Sequence, residues 1–132
     1  MSVPAPVAAE ADDEAALLAF KAAAIGGASY GDTGMPLPSW NGSGGAGGFC
    51  SWEGVTCGSR HRRVVALSLP SLGLTGVLSP AVGNLSFLRA LNLSSNAFSG
   101  DIPASLGRLR RLQILDLSHN TFSGEIPANL TR

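Results

Sequence analysis

Apolar and polar positions recur along the second half of the chain with a period of 24 residues. Leu88, Leu91, Leu93 and Asn96 frame the pattern L-x-x-L-x-L-x-x-N, and Leu112, Leu115, Leu117 and Asn120 repeat it. The register holds beyond that stretch, since Phe98, Gly100, Ile102, Pro103 and Leu106 return as Phe122, Gly124, Ile126, Pro127 and Leu130. A looser copy lies upstream, with Val64, Leu67, Leu69, Leu74, Gly76, Leu78 and Val82 at the matching positions. Leucines two apart, with small or polar residues between them, put one side of a short strand inward and the other outward. The outward set is Ala66, Ser68, Ala90, Asn92, Ser94, Ile114, Asp116 and Ser118. Asn96 and Asn120 stand where the chain leaves each strand, and a buried side-chain amide there can bond backbone groups that the turn leaves unpaired.

Self-similarity at this spacing is the signature of a leucine-rich-repeat solenoid, a stack in which each repeat buries its apolar side against its neighbours. The expected fold is therefore an α/β solenoid, with three repeats over residues 64–132 and the outward strand residues forming a concave face. Upstream the period changes. Residues 12–25 place Leu17, Phe20 and Ala24 on one helical face with Leu18 and Ile25 beside them. Asp12 or Asp13 would cap the start of that helix, and Gly26 and Gly27 would end it. Residues 26–49 are rich in Gly, Ser and Pro and read as a loop anchored by Leu37 and Trp40. The division expected is a disordered remnant over 1–11, a cap over 12–63, and the repeats.

Composition agrees with a folded chain: 45% of the 132 residues are hydrophobic and the formal net charge is zero. The balance hides an asymmetry, because residues 1–57 hold six acids and one lysine while residues 58–132 hold eight arginines and three acids. Arg60, Arg62 and Arg63 precede the first repeat strand, and Arg108, Arg110 and Arg111 lie on the return of the second. With few lysines and no aromatic interleaving they read as a solvated face, not a nucleic-acid surface. The start of the chain has neither the basic start nor the apolar run of a secretory signal, and reads as the tail of a removed targeting segment. Ala15 to Ile25, the longest apolar run, is broken by Lys21 and falls short of the roughly 20 residues that span a bilayer, so no membrane anchor is expected.

Three motifs invite chemistry. Gly42-Ser43-Gly44-Gly45-Ala46-Gly47 matches G-x-G-x-x-G, but Trp40-Asn41 precedes it and Phe49-Cys50-Ser51-Trp52 follows. A dinucleotide site needs a strand before and a helix after, and no cofactor is expected. Asp116, Ser118 and His119 are close in sequence, yet the first two would share a strand face without an activating arrangement, so no catalytic residue is assigned. Cys50 and Cys57 admit a disulfide, a partial metal site with His61, or two thiols. Zinc sites use tighter spacing and four ligands, and the sequons described below favour an oxidising compartment and hence the disulfide.

The run from Asp13 through Ala15-Ala16-Leu17-Leu18-Ala19-Phe20-Lys21, then Ser39-Trp40-Asn41, CSWEGVTC at 50 to 57, and Arg63-Val64-Val65-Ala66-Leu67-Ser68-Leu69 resembles the N-terminal cap of plant leucine-rich-repeat receptor-like kinases. Ser-Gly-Asp-Ile-Pro at 99 to 103 and Ser-Gly-Glu-Ile-Pro at 123 to 127 are similar to the plant-specific repeat. The resemblance implies a helical, disulfide-bonded cap over the first repeat and a second short strand from the S-G-x-I-P segment. It also implies a non-catalytic interaction module of a cell-surface receptor, in signalling or defence, that meets a protein or peptide ligand or a co-receptor through a longer solenoid. A secreted inhibitor of cell-wall hydrolases such as polygalacturonase is the alternative, although those proteins usually show paired cysteines where Cys50 is single. The kinase loop motifs are missing from these residues.

Four N-x-S/T sequons, at Asn41, Asn84, Asn92 and Asn129, would carry glycans in a secreted protein. Three strands offer about 200 Å² of flat concave face, against about 800 Å² per partner in a specific interface, so the chain is expected to supply part of a binding surface. The far edge, lined by Leu112, Leu115, Leu117, Phe122, Ile126 and Leu130, is expected to be open and to self-associate.

Overall fold

A computed structural model describes residues 5–24, 37, 39–40 and 48–124, with side chains from residue 12 onward. The elements are the helix α1 (Ala5–Ala24) and the strands β1 (Val55–Cys57), β2 (Val64–Ser68), β3 (Ala90–Asn92), β4 (Ser99–Asp101), β5 (Ile114–Asp116) and β6 (Thr121–Ser123). Short 3-10 turns at Pro80–Asn84 and Ala104–Arg108 form the return side of the repeats. The strands order as β1-β2-β3-β5 in one sheet, with β4-β6 in a second. β2, β3 and β5 run parallel with Ala66, Ala90 and Ile114 in one row, Leu67, Leu91 and Leu115 in the next, and Ser68, Asn92 and Asp116 in the third. This is the α/β solenoid that the 24-residue period implies. Where the period ends in sequence, the sheet does not: β1 adds an antiparallel strand that pairs Thr56 with Ala66.

Backbone conformation repeats along with composition. Ser71, Ser95 and His119, spaced by the repeat, all take positive φ near 57–59°, just ahead of the asparagine position. Gly100 and Gly124, at φ 78°, sit where a side chain would meet its neighbour; a Cβ on Gly124 would stand 2.7 Å from Asp101 Oδ1. The positive φ is what calls for glycine at both positions, since the exposed Asp101 side chain could swing aside.

The core is continuous from cap to repeats. Leu17, Phe20, Ala24, Trp40, Leu67, Leu69, Leu74, Leu91, Leu93 and Phe98 are fully buried, and the rings form a chain through it. Phe20 stands 5.8 Å from Trp40 and 6.0 Å from Phe98, Trp40 stacks on Trp52 at 5.4 Å, and Phe98 lies parallel to Phe122 at 6.0 Å. Trp40 reaches full burial with its indole N–H donating to Glu53 O at 2.9 Å, which removes the cost of burying that donor.

Several expectations change. The helix starts at Ala5, not at residue 12, so residues 5–11, expected to be a disordered remnant, form its first turns. Neither Asp12 nor Asp13 caps it. Asp13 is instead completely buried in mid-helix. Leu18, expected in the buried stripe, is exposed, and Ala16 takes that role, because the face toward the repeats is set by Asp13, Leu17, Phe20 and Ala24. The carbonyls of Ala23 and Ala24 accept from Val77 and Thr75 N–H, so the first repeat satisfies the helix end. Ile25, Gly26, Gly27, the glycine motif at 42–47, Ile126 and Leu130 lie outside the described residues. Of the two S-G-x-I-P segments, Ser99–Asp101 forms β4, whereas β6 begins two residues earlier in its repeat, at Thr121. No described helix is long and apolar enough to cross a membrane.

Candidate interaction site

The concave face is built by the rows of the parallel sheet. Ala66, Ser68, Ala90, Asn92, Ile114 and Asp116 occupy the outward strand positions, and Ser94 and Ser118 continue the face past the strand ends. The surface is shallow and mostly small, with Ile114 the exception at 60% exposed. Asn92 and Asp116 close matching turns: Asn92 Oδ1 accepts from Ser94 N–H at 3.0 Å and Asp116 Oδ1 from Ser118 N–H at 3.0 Å. Ser118 Oγ also donates to Asp116 Oδ1 at 2.6 Å. The Ser118 hydroxyl and N–H hydrogen bonds hold the Asp116 carboxyl below its usual range. A carboxylate so stabilised is a poorer base, so the Asp116–Ser118–His119 cluster fixes a turn and a negative charge on the face without activating a nucleophile.

The asparagine ladder ties repeats together. Asn96 Oδ1 accepts from Leu72 and Leu74 N–H at 3.0 and 3.1 Å, and its Nδ2 donates to Leu69, Leu93 and Ser94 carbonyls. Asn120 accepts from Phe98 N–H and donates to Leu93, Leu117 and Ser118 carbonyls. Each amide therefore reaches into the preceding repeat as well as its own turn.

Cys50 and Cys57 form a disulfide with their Cα atoms 5.6 Å apart. It joins the 3-10 turn Gly48–Ser51 to β1, and closing so short a loop contributes roughly 2–3 kcal/mol. Asn84 lies exposed on the return side, its Oδ1 accepting from Arg108 Nη2 at 3.0 Å; Asn92 is on the concave face, while Asn41 and Asn129 lie outside the described residues.

The contact that sequence reading missed joins cap and repeats. Arg63 Nε and Nη2 bind Asp13 Oδ2 and Oδ1, both at 2.9 Å, and Val64 N–H donates to Oδ2 at 3.0 Å. Arg63 is thus not part of a solvated arginine face. An aspartate one helical turn before Leu17 looks like a cap in sequence; only the long separation from Arg63 concealed its partner.

A helical cap with a disulfide-linked edge strand, followed by repeats with parallel inner strands and an asparagine ladder, defines a leucine-rich-repeat solenoid with its N-terminal cap domain. Residues 10–58 match the leucine rich repeat N-terminal domain and residues 62–122 match the leucine rich repeat. The two matches together span most of the chain and make it a leucine-rich-repeat protein, and its cap and first repeats are similar to those of plant receptor-like kinases. It is 52% identical over 85 residues to the receptor kinase-like protein Xa21 of Oryza sativa subsp. japonica, covering 61% of this chain and 8% of that protein. It is 58% identical over 55 residues to the LRR receptor-like serine/threonine-protein kinase EFR of Arabidopsis thaliana, covering 42% of this chain and 5% of that one. The chain thus spans less than a tenth of these relatives. Among solved structures, the leucine-rich-repeat ectodomain of the Arabidopsis receptor kinase HAESA, in complex with an extended IDA peptide hormone ligand, superposes with a TM-score of 0.70 at 29% identity. It covers 93% of this chain and 19% of that one.

Proposed function

We propose that these residues act outside the cell as the membrane-distal part of a plant receptor ectodomain, a non-catalytic module that presents one end of a longer surface for a peptide, protein ligand or co-receptor. The observation that carries this reading is the register of the outward rows, which aligns Ala66, Ala90 and Ile114 beside Ser68, Asn92 and Asp116 on an open sheet face. HAESA, with its peptide hormone, supports it by likeness of fold. In a receptor ectodomain that begins with these residues, Ile114→Glu is expected to weaken ligand binding about tenfold while leaving the thermal transition in place, because the side chain is exposed. Unchanged binding in that variant, or inhibition of a polygalacturonase by residues 1–132, would instead favour the secreted-inhibitor reading.

The same reading gives β5, the outer described strand of its sheet, a neighbour. Leu91 and Leu93 are fully buried, whereas Leu115, one repeat on, is 37% exposed, and a hollow of about 380 Å³ opens among Ile102, Leu115, Leu117 and Phe122. A further repeat laid on this edge would bury it, as solenoid stacking requires. Residues 1–132 expressed by themselves are expected to self-associate there. Light scattering showing a monomer at high concentration would count against this seat.

A further inference from the structure

The arginines that precede the strands are arranged by the repeat. Arg63, Phe87 and Arg111 lie at successive 24-residue intervals, and they stack in that order. The guanidinium of Arg63 sits 4.6 Å and that of Arg111 4.1 Å from the Phe87 ring centroid, with His61 against the ring at 5.8 Å. The hairpin between β1 and β2, closed by Gly58 N–H to Arg63 O at 3.0 Å, faces this stack with Ser59, Arg60 and His61. Between them runs a groove of about 490 Å³ whose lining includes Arg60, Arg63, Arg89 and Arg111 and, among the described residues, no carboxylate. Only Arg63 of these four makes a salt bridge among the described residues, to Asp13. Arg60, Arg89 and Arg111 are exposed, and Arg89 immediately precedes Ala90, so the groove lies beside the start of the concave row.

We infer that this groove receives an acidic peptide segment, whose carboxylates pair with Arg60, Arg89 and Arg111. The inference rests on reading the concave face as a ligand surface and names the chemistry of the ligand's end beside the cap. A guanidinium stacked on a ring keeps its in-plane N–H donors free, which suits a carboxylate and orders the side chain before binding. Phe87 receives a guanidinium from each flanking repeat and so offers no face on which a nucleic-acid base would stack. Steering by uncompensated like charges also makes the association sensitive to salt.

The probe is a fluorescein-labelled, acetylated hexaglutamate peptide titrated against residues 1–132 by fluorescence anisotropy at low ionic strength. Saturable binding is expected, lost on raising the salt, and weakened roughly tenfold or more in Arg60→Gln/Arg89→Gln/Arg111→Gln. Arg108→Gln/Arg110→Gln, outside the groove, should change it less than about twofold. Circular dichroism of both variants confirms folding, and Phe87→Leu, which removes the stacking ring while keeping every charge, should weaken binding by a smaller factor. Equal losses in the two arginine variants, tighter binding of a single-stranded oligonucleotide of the same charge, or no saturation with hexaglutamate would overturn the groove assignment. None of these results alters the Ile114→Glu outcome, on which the receptor reading itself depends.

Discussion

Replacing Asp13 with alanine is expected to destabilise the protein by about 3–5 kcal/mol, the range for breaking a buried ion pair from one side. The carboxylate is completely buried, takes both arms of Arg63 at 2.9 Å and accepts Val64 N–H at 3.0 Å. Its removal takes the carboxylate from a guanidinium with 14% side-chain exposure, which keeps Ser86 Oγ at 3.2 Å, and leaves the buried Val64 N–H without its acceptor. Because domains of this size are stable by only about 5–15 kcal/mol, much of the margin would go. Removing both charges in Asp13→Leu/Arg63→Met should recover part of the loss, leaving mainly the roughly 1–3 kcal/mol of the orphaned Val64 donor. Urea denaturation of the two variants measures this. A single variant within about 1 kcal/mol of the parent would mean that water replaces the carboxylate and that α1 is not held by this pair.

Asn96→Ala is expected to be comparably severe, at about 3–5 kcal/mol, and worse than Asn120→Ala. Asn96 holds two backbone N–H groups of the preceding repeat, Leu72 and Leu74, and donates to three carbonyls. Each buried donor left unpaired costs about 1–3 kcal/mol. Asn120 holds one such N–H, Phe98, and lies one repeat nearer the exposed edge, so its loss should cost about 1–3 kcal/mol. Asn96→Asp is a sharper probe, since it keeps the acceptor but turns a second oxygen toward three carbonyls. Hydrogen exchange should show the Leu72 and Leu74 amides exchanging faster in Asn96→Ala than in Asn96→Asp, which keeps their acceptor. Equal destabilisation by Asn96→Ala and Asn120→Ala would show that the ladder acts through each local turn and not between repeats.

The solenoid, the inward and outward strand positions and the asparagines at the turns were legible in the sequence, because each repeat meets only its neighbours and the same local solution recurs every 24 residues; that each asparagine also bonds the preceding repeat was not. Periodicity reports what neighbouring residues do repeatedly. It carries no signal for contacts made once. The cap is made of such contacts: Asp13 on Arg63 across 50 residues, Phe20 between Trp40 and Phe98, and β1 added against β2. Asp13 read as a helix cap for that reason, and Leu18 as core, since the helix pattern alone leaves the direction of its buried face ambiguous until the first repeat is placed beneath it. The arginines show the same division within one residue type. Composition marked a basic half of the chain, but only stacking decided that Arg63 is neutralised by Asp13 while Arg60, Arg89 and Arg111 border a groove to which no described residue brings a carboxylate, because charge pairing depends on distances of a few ångströms that sequence separation does not constrain.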